Sequence, residues 1–197
     1  MRGARDRKRF LLICCEGKTE KEYFTILMRL YRLPGARVLI IGEQGQHKAL
    51  VDRTVQERDA FCKKHAAQPD EVECWAVCDD DGMSISFAEL QRYADMNDVR
   101  LAFSRPQFEA FLLQHFEQSA VCNQKELYSK LGNYARKLGD EDADYEKASL
   151  GWLADAIDAK PKLVDIAITN ADQRTKQSGR VFLTVQELVR RMRELRL

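Results

Sequence analysis

At 197 residues the chain has room for one domain with a proper core, and its net charge of +1 excludes a strong global field toward nucleic acid or membrane. Its 45% apolar content is ordinary for a globular protein and its 32% charged content somewhat high, so any nucleic-acid surface must be a local patch. No apolar run approaches the ~20 residues of a membrane span, and Phe10–Cys15 is too short for a signal-peptide core, so a cytoplasmic protein is expected.

The first 117 residues alternate strand and helix. A first strand over roughly Lys8–Cys15 is followed by a helix that Thr19 caps, with Glu22 completing a capping box, and Pro34-Gly35 ends it. Val38–Ile41 reads as a second strand, 42–47 as a polar loop, and about Lys48–Ala66 as a second helix. Val72–Cys78 is a third strand, and Ser84 or Ser86 caps a third helix. Val99–Phe103 is a fourth strand, after which Ser104, with Pro106 and Gln107, opens a helix carrying Phe108, Phe111, Leu112, His115 and Phe116. Four such alternations predict an α/β fold with a parallel sheet and right-handed crossovers. Beyond Asn123 the pattern is helical, over Lys125–Leu138, Asp144–Asp158 and Leu163–Lys176, and Thr184-x-x-Glu187 reads as a capping box for a last helix. The expected organisation is a core over residues 1–120 and a helical extension over 121–197, packed as one cooperative unit.

Two acidic clusters stand directly after apolar strands: Glu16 with Glu20, and Asp79-Asp80-Asp81. Ligands of open α/β sheets bind outside the carboxyl ends of the strands, so Glu16, Asp79 and Asp81 are expected to converge. Carboxylates so placed repel one another, and a divalent cation relieves the repulsion. Each residue also has a plainer reading. Glu16-Gly17 can be a simple turn, Glu20 and Glu22 helix-start acids, and Asp79–Asp81 a solvated turn. Glu109 can be a helix N-terminal acid, Lys18 an exposed loop lysine, and His115 a satisfied core histidine. The six cysteines have no CxxC spacing, and four fall in strands, which reads as burial. Basic clusters at Arg2–Arg9 and Arg190–Arg196 suit phosphates or solvent alike.

Three segments together resemble a known family: Leu11-Leu12-Ile13-Cys14-Cys15-Glu16-Gly17-Lys18-Thr19-Glu20, Trp75-Ala76-Val77-Cys78-Asp79-Asp80-Asp81, and Ser104-Arg105-Pro106-Gln107-Phe108-Glu109 with the apolar helix ending in His115. They are similar to the opening motif, the strand-D-x-D and the Ser-x-Pro-x-Phe-Glu helix of RloB-like proteins. The resemblance implies a Toprim-like central parallel four-stranded sheet and a metal-dependent nuclease of a bacterial defence system, acting on DNA or RNA with an AAA-type ATPase partner. It implies Mg²⁺ or Mn²⁺ held by Asp79, Asp81 and Glu16, catalytic roles for Glu16 and Glu109, and phosphate contacts from Lys18 and Arg105. The chain departs from the family pattern at two positions: Asp80, where a basic or neutral residue is common, and Arg105, where a small polar one is. Two alternatives accompany this reading. One is a non-catalytic metal-binding partner or sensor subunit. The other is a haloacid-dehalogenase-like phosphatase with Asp79 as nucleophile, suggested by Asp79-Asp80-Asp81-Gly82.

Overall fold

The computed structural model describes residues 9–139, 145–176 and 180–196. The basic cluster at Arg2–Lys8 lies outside them. The sheet has five strands, β1 (Phe10–Cys15), β2 (Val38–Ile41), β3 (Val72–Asp79), β4 (Val99–Arg105) and β5 (Phe182–Leu183), in the order β2-β1-β3-β4-β5. The first four are parallel, as the alternating pattern requires, and β5 runs antiparallel to β4. Among the described residues there are eight α-helices: α1 (Lys18–Leu30), α2 (His47–His65), α3 (Phe87–Met96), α4 (Glu109–Leu113), α5 (Gln124–Lys137), α6 (Gly151–Ala159), α7 (Lys162–Lys176) and α8 (Val185–Glu194).

The strands read as near-continuous apolar runs because helices cover both faces of the sheet. All eight residues of β3 are buried. Successive side chains alternate between two cores. Leu11, Ile13, Trp75 and Val77 face α1 and the helices from α4 onward. Leu12, Cys14, Cys74 and Ala76 face α2 and α3, which contribute Leu50, Val51, Leu90 and Ala94. The six cysteines form no disulfide, and four of them are fully buried, in keeping with their reading as small core residues.

Several local expectations are corrected. Thr19 does not cap α1; the cap position is Gly17, and no side chain bonds there. The Thr19 hydroxyl instead accepts the Ala148 N–H at 3.0 Å, and the Glu22 carboxylate accepts the Leu150 N–H at 3.0 Å. Of the two serines expected as caps, Ser86 caps α3, and it does so in a capping box with Glu89. Ser104 opens no helix, because β4 continues through Arg105 and α4 starts only at Glu109. The expected four-stranded sheet gains β5, a two-residue strand too short to show a period. The Thr184 hydroxyl bonds no α8 backbone; it accepts the Phe103 N–H at 2.8 Å, tying the chain to β4. The helix expected over Asp144–Asp158 begins at Gly151. Three arginines of the terminal cluster are engaged: Arg191 with buried Glu73 at 2.6 Å, Arg190 with Asp172, and Arg193 with Asp165.

The segment beyond residue 121 shares the core of the sheet, through Leu127, Leu153, Val164 and Leu188. Its loss would expose the part of that core that α1 and α4 do not cover, and burial of such side chains is worth about 1.5–3 kcal/mol each. Limited proteolysis is therefore expected to release no stably folded 1–120 fragment. A protected fragment of that length would show that the extension is dispensable.

Candidate active site

The parallel register of β1 and β3, Cys15↔Val77 at its end, sets their carboxyl termini side by side. The Glu16 N–H adds one more bond, to the Val77 carbonyl at 3.0 Å, so Glu16 leaves the sheet beside the end of β3. The chain then turns through Gly17. A Cβ there would stand 2.9 Å from Glu20 Oε2, so a side chain at 17 would push that carboxylate aside. Glu20, in the first turn of α1, is buried and faces the same end of the sheet.

Asp79 is the last residue of β3 and only 9% exposed. Its Oδ1 accepts the Asp81 N–H at 3.0 Å, which closes the acidic turn on itself. Asp81 projects from that turn into solvent, yet its charge acts on Asp79. Glu109 is 2% exposed, and its Oε1 accepts the Tyr145 hydroxyl at 3.0 Å. The cluster expected from sequence is thus brought together around Asp79, and Glu20 joins it.

The electrostatics follow from burial and mutual repulsion. Burial, then the Asp79 charge, pushes the Glu16 carboxyl up to about 7, against a hydrogen bond from Gln46 Nε2 to Glu16 Oε1 at 2.8 Å. Burial also pushes Glu20 up to about 7, against a bond from its own backbone, with Asp79 and Glu109 adding and Lys147 opposing. Burial raises Asp79; the Asp81 N–H opposes this, and the charges of Asp81 and Glu109 add to it. The Glu16 Oε2 atom is buried and makes no hydrogen bond of ordinary geometry, while the Asp79 backbone N–H also favours the ionised carboxylate. For Lys147, burial pulls the ammonium down, but Glu109, Tyr128 and Asp79 more than offset it, and the net shift is upward.

The two residues expected to contact phosphate are each paired with a carboxylate. Arg105 forks onto Asp80 at 2.9 and 3.2 Å. The two departures from the family pattern are therefore partners, and Asp80 is not a third free carboxylate. Lys18 pairs with Glu43 at 3.6 Å, both side chains well exposed. His115 is fully buried, bonded through Nε2 to Tyr23 at 3.1 Å and through Nδ1 to the Leu112 carbonyl at 3.0 Å. Burial holds its pKa down at about 4, so it is a neutral core histidine. Burial pushes the Cys15 and Cys78 thiols up, away from thiolate chemistry.

Four residues here escape sequence reasoning. Glu20 is visible, four residues after Glu16, but reads equally as a helix-start acid. Gln46 sits in a loop marked only as polar. Tyr145 and Lys147 lie in an acidic stretch and reach the cluster only through the fold. Among the described residues, no group of three or more His, Cys, Asp or Glu side chains is arranged to hold a metal ion.

These features define an α/β protein whose mostly parallel sheet gathers buried carboxylates at the ends of its central strands. The family model described as RloB-like protein matches residues 11–192, from β1 through most of α8, and the chain belongs to that family. No curated protein and no solved structure matches it. Among the described residues, no helix is long and apolar enough to cross a membrane.

Proposed function

We propose that this protein is a Mg²⁺- or Mn²⁺-dependent nuclease of a bacterial defence system, with a Toprim-like arrangement of its four parallel strands and an AAA-type ATPase partner. The observation that carries the reading is Glu16: a carboxylate beside Asp79, with a buried orphan oxygen and a pKa near 7. Family membership supports it.

The donor set suits a hard cation, because every candidate is a carboxylate oxygen. Mg²⁺ keeps several waters and takes one or two protein carboxylates, so a cage of three is not required. Asp79 and Asp81 would hold it, with Glu16 as a further ligand. When bound, the ion polarises the phosphodiester and stabilises the leaving oxygen. Where Glu16 is not itself a ligand it moves protons, because a carboxyl titrating near working pH is matched to general acid–base work. Gln46 keeps Oε1 of Glu16 fixed, so Oε2 is the atom left for this task. Glu109, locked by Tyr145, adds negative field to Asp79 and raises the cluster's affinity for a cation.

The test is incubation of the protein with plasmid DNA and with RNA, in Mg²⁺ or Mn²⁺, with and without the ATPase. Cleavage that chelator abolishes is the expected result. Complete inertness with metal and partner supplied would reject the nuclease and favour a non-catalytic metal-binding subunit.

A further inference from the structure

We propose that Lys147, presented by the segment Tyr145–Leu150, is the substrate-binding cation of this site and takes a phosphate of the nucleic-acid strand beside Asp79. The proposal rests on the nuclease reading and deepens it by naming the residue that holds the substrate.

The segment is fastened to the elements that build the site. The Ala148 N–H donates to Thr19 and the Leu150 N–H to Glu22, both on α1, and the Tyr145 hydroxyl donates to Glu109 on α4. These anchors lie 129, 128 and 36 residues away in sequence. Ala148 adopts φ 60, a left-handed conformation that disfavours a residue with a Cβ. Strain of this kind persists where the surroundings over-determine it, and it concentrates at functional sites. Here it directs the chain immediately after Lys147.

None of the three docking bonds uses the Lys147 side chain. Those three bonds fasten the segment through other groups. Its side chain reaches the surface, while its charge acts on Asp79 and Glu20 and meets Glu109. The Tyr128 hydroxyl bonds the ammonium. A cation so placed answers the carboxylates in the free protein. Once they are neutralised, the ammonium is available on its solvent side to a phosphate. A lysine is a compact charge on a flexible stem with three donors, which suits a phosphate whose orientation changes during reaction. Of the two cations that the family resemblance suggested as phosphate contacts, Arg105 pairs with Asp80 and Lys18 with Glu43.

The experiment measures anisotropy of short fluorescent single-stranded DNA and RNA oligonucleotides in Mg²⁺, at several salt concentrations. It uses Glu16→Gln as the parent, so that bound strands stay uncut. Lys147→Gln and Lys147→Met on that parent are expected to bind about tenfold more weakly. The slope of log affinity against log salt should fall by about 0.7, the signature of one lost phosphate contact on a single strand. Lys147→Arg should retain affinity and slope. A purely structural lysine would not change the slope. Unchanged affinity and slope in both neutral variants would overturn the proposal while leaving the nuclease reading intact. Neutral variants that melt far below the parent would also overturn it, by making Lys147 a structural residue. A parent that binds neither oligonucleotide would overturn both.

Discussion

Glu16→Gln is expected to abolish metal-dependent cleavage while leaving the protein folded. The substitution keeps the shape of the side chain, and its amide oxygen still accepts from Gln46, now 2.8 Å from Oε1. It removes a half-buried charge that burial and Asp79 both disfavour, so the metal-free variant should melt no lower than wild type. It also removes two things an amide cannot supply, an anionic oxygen for a cation and exchange of a proton near pH 7. General acid–base catalysis is worth about 10²–10⁴-fold, and the cleavage rate should fall by that much. Single-turnover cleavage and a melting curve on the same sample check both halves. Wild-type cleavage by the variant would remove Glu16 from the chemistry.

The second large effect is thermodynamic. Glu16 and Glu20 hold their protons up to about 7 in the fold, against 4.5 for the free side chain. Between these values the folded state binds more protons than the unfolded one, so the stability of the metal-free protein falls as pH rises from about 4.5 to about 7 and then levels. In chelator the protein should melt lower at pH 8 than at pH 5. Mg²⁺ at a hundredfold excess over its dissociation constant adds about 2.7 kcal/mol, roughly 5–10 °C for a chain of this size. It should close much of the gap. Asp79→Asn removes the charge that both glutamates feel, so it should narrow the gap in chelator and lose the Mg²⁺ response. An unchanged Mg²⁺ response in this variant would make Asp79 a turn residue and no ligand.

The strand–helix alternation was legible because its signals are local. Apolar runs such as Phe10–Cys15 and Val72–Asp79 are bounded by turn residues, and a strand buried on both faces needs no partner to be recognised. The positions of Glu16 and Asp79 followed from where those runs end. What stayed hidden depends on distant partners. Thr19 and Glu22 have the spacing of a capping box, but the fold uses both oxygens to fasten residues 148–150. Thr184 has the same spacing before Glu187 and serves β4 instead. A hydroxyl that caps and a hydroxyl that docks look alike in sequence. Asp80 and Arg105 each looked out of pattern alone, and their pairing explains both.

The short strand β5 also bears on biosynthesis. Its anchor, Thr184, meets Phe103 across 81 residues of chain. Loop closure over such a span delays pairing relative to the local contacts of β1 through β4. A growing polypeptide on the ribosome therefore carries β4 with an open outer edge until residues 182–183 have emerged, and unpaired edges invite association with other chains. Truncation anywhere before residue 182 leaves that outer edge of β4 bare, so shortened products should be recognised by chaperones and proteases rather than accumulate.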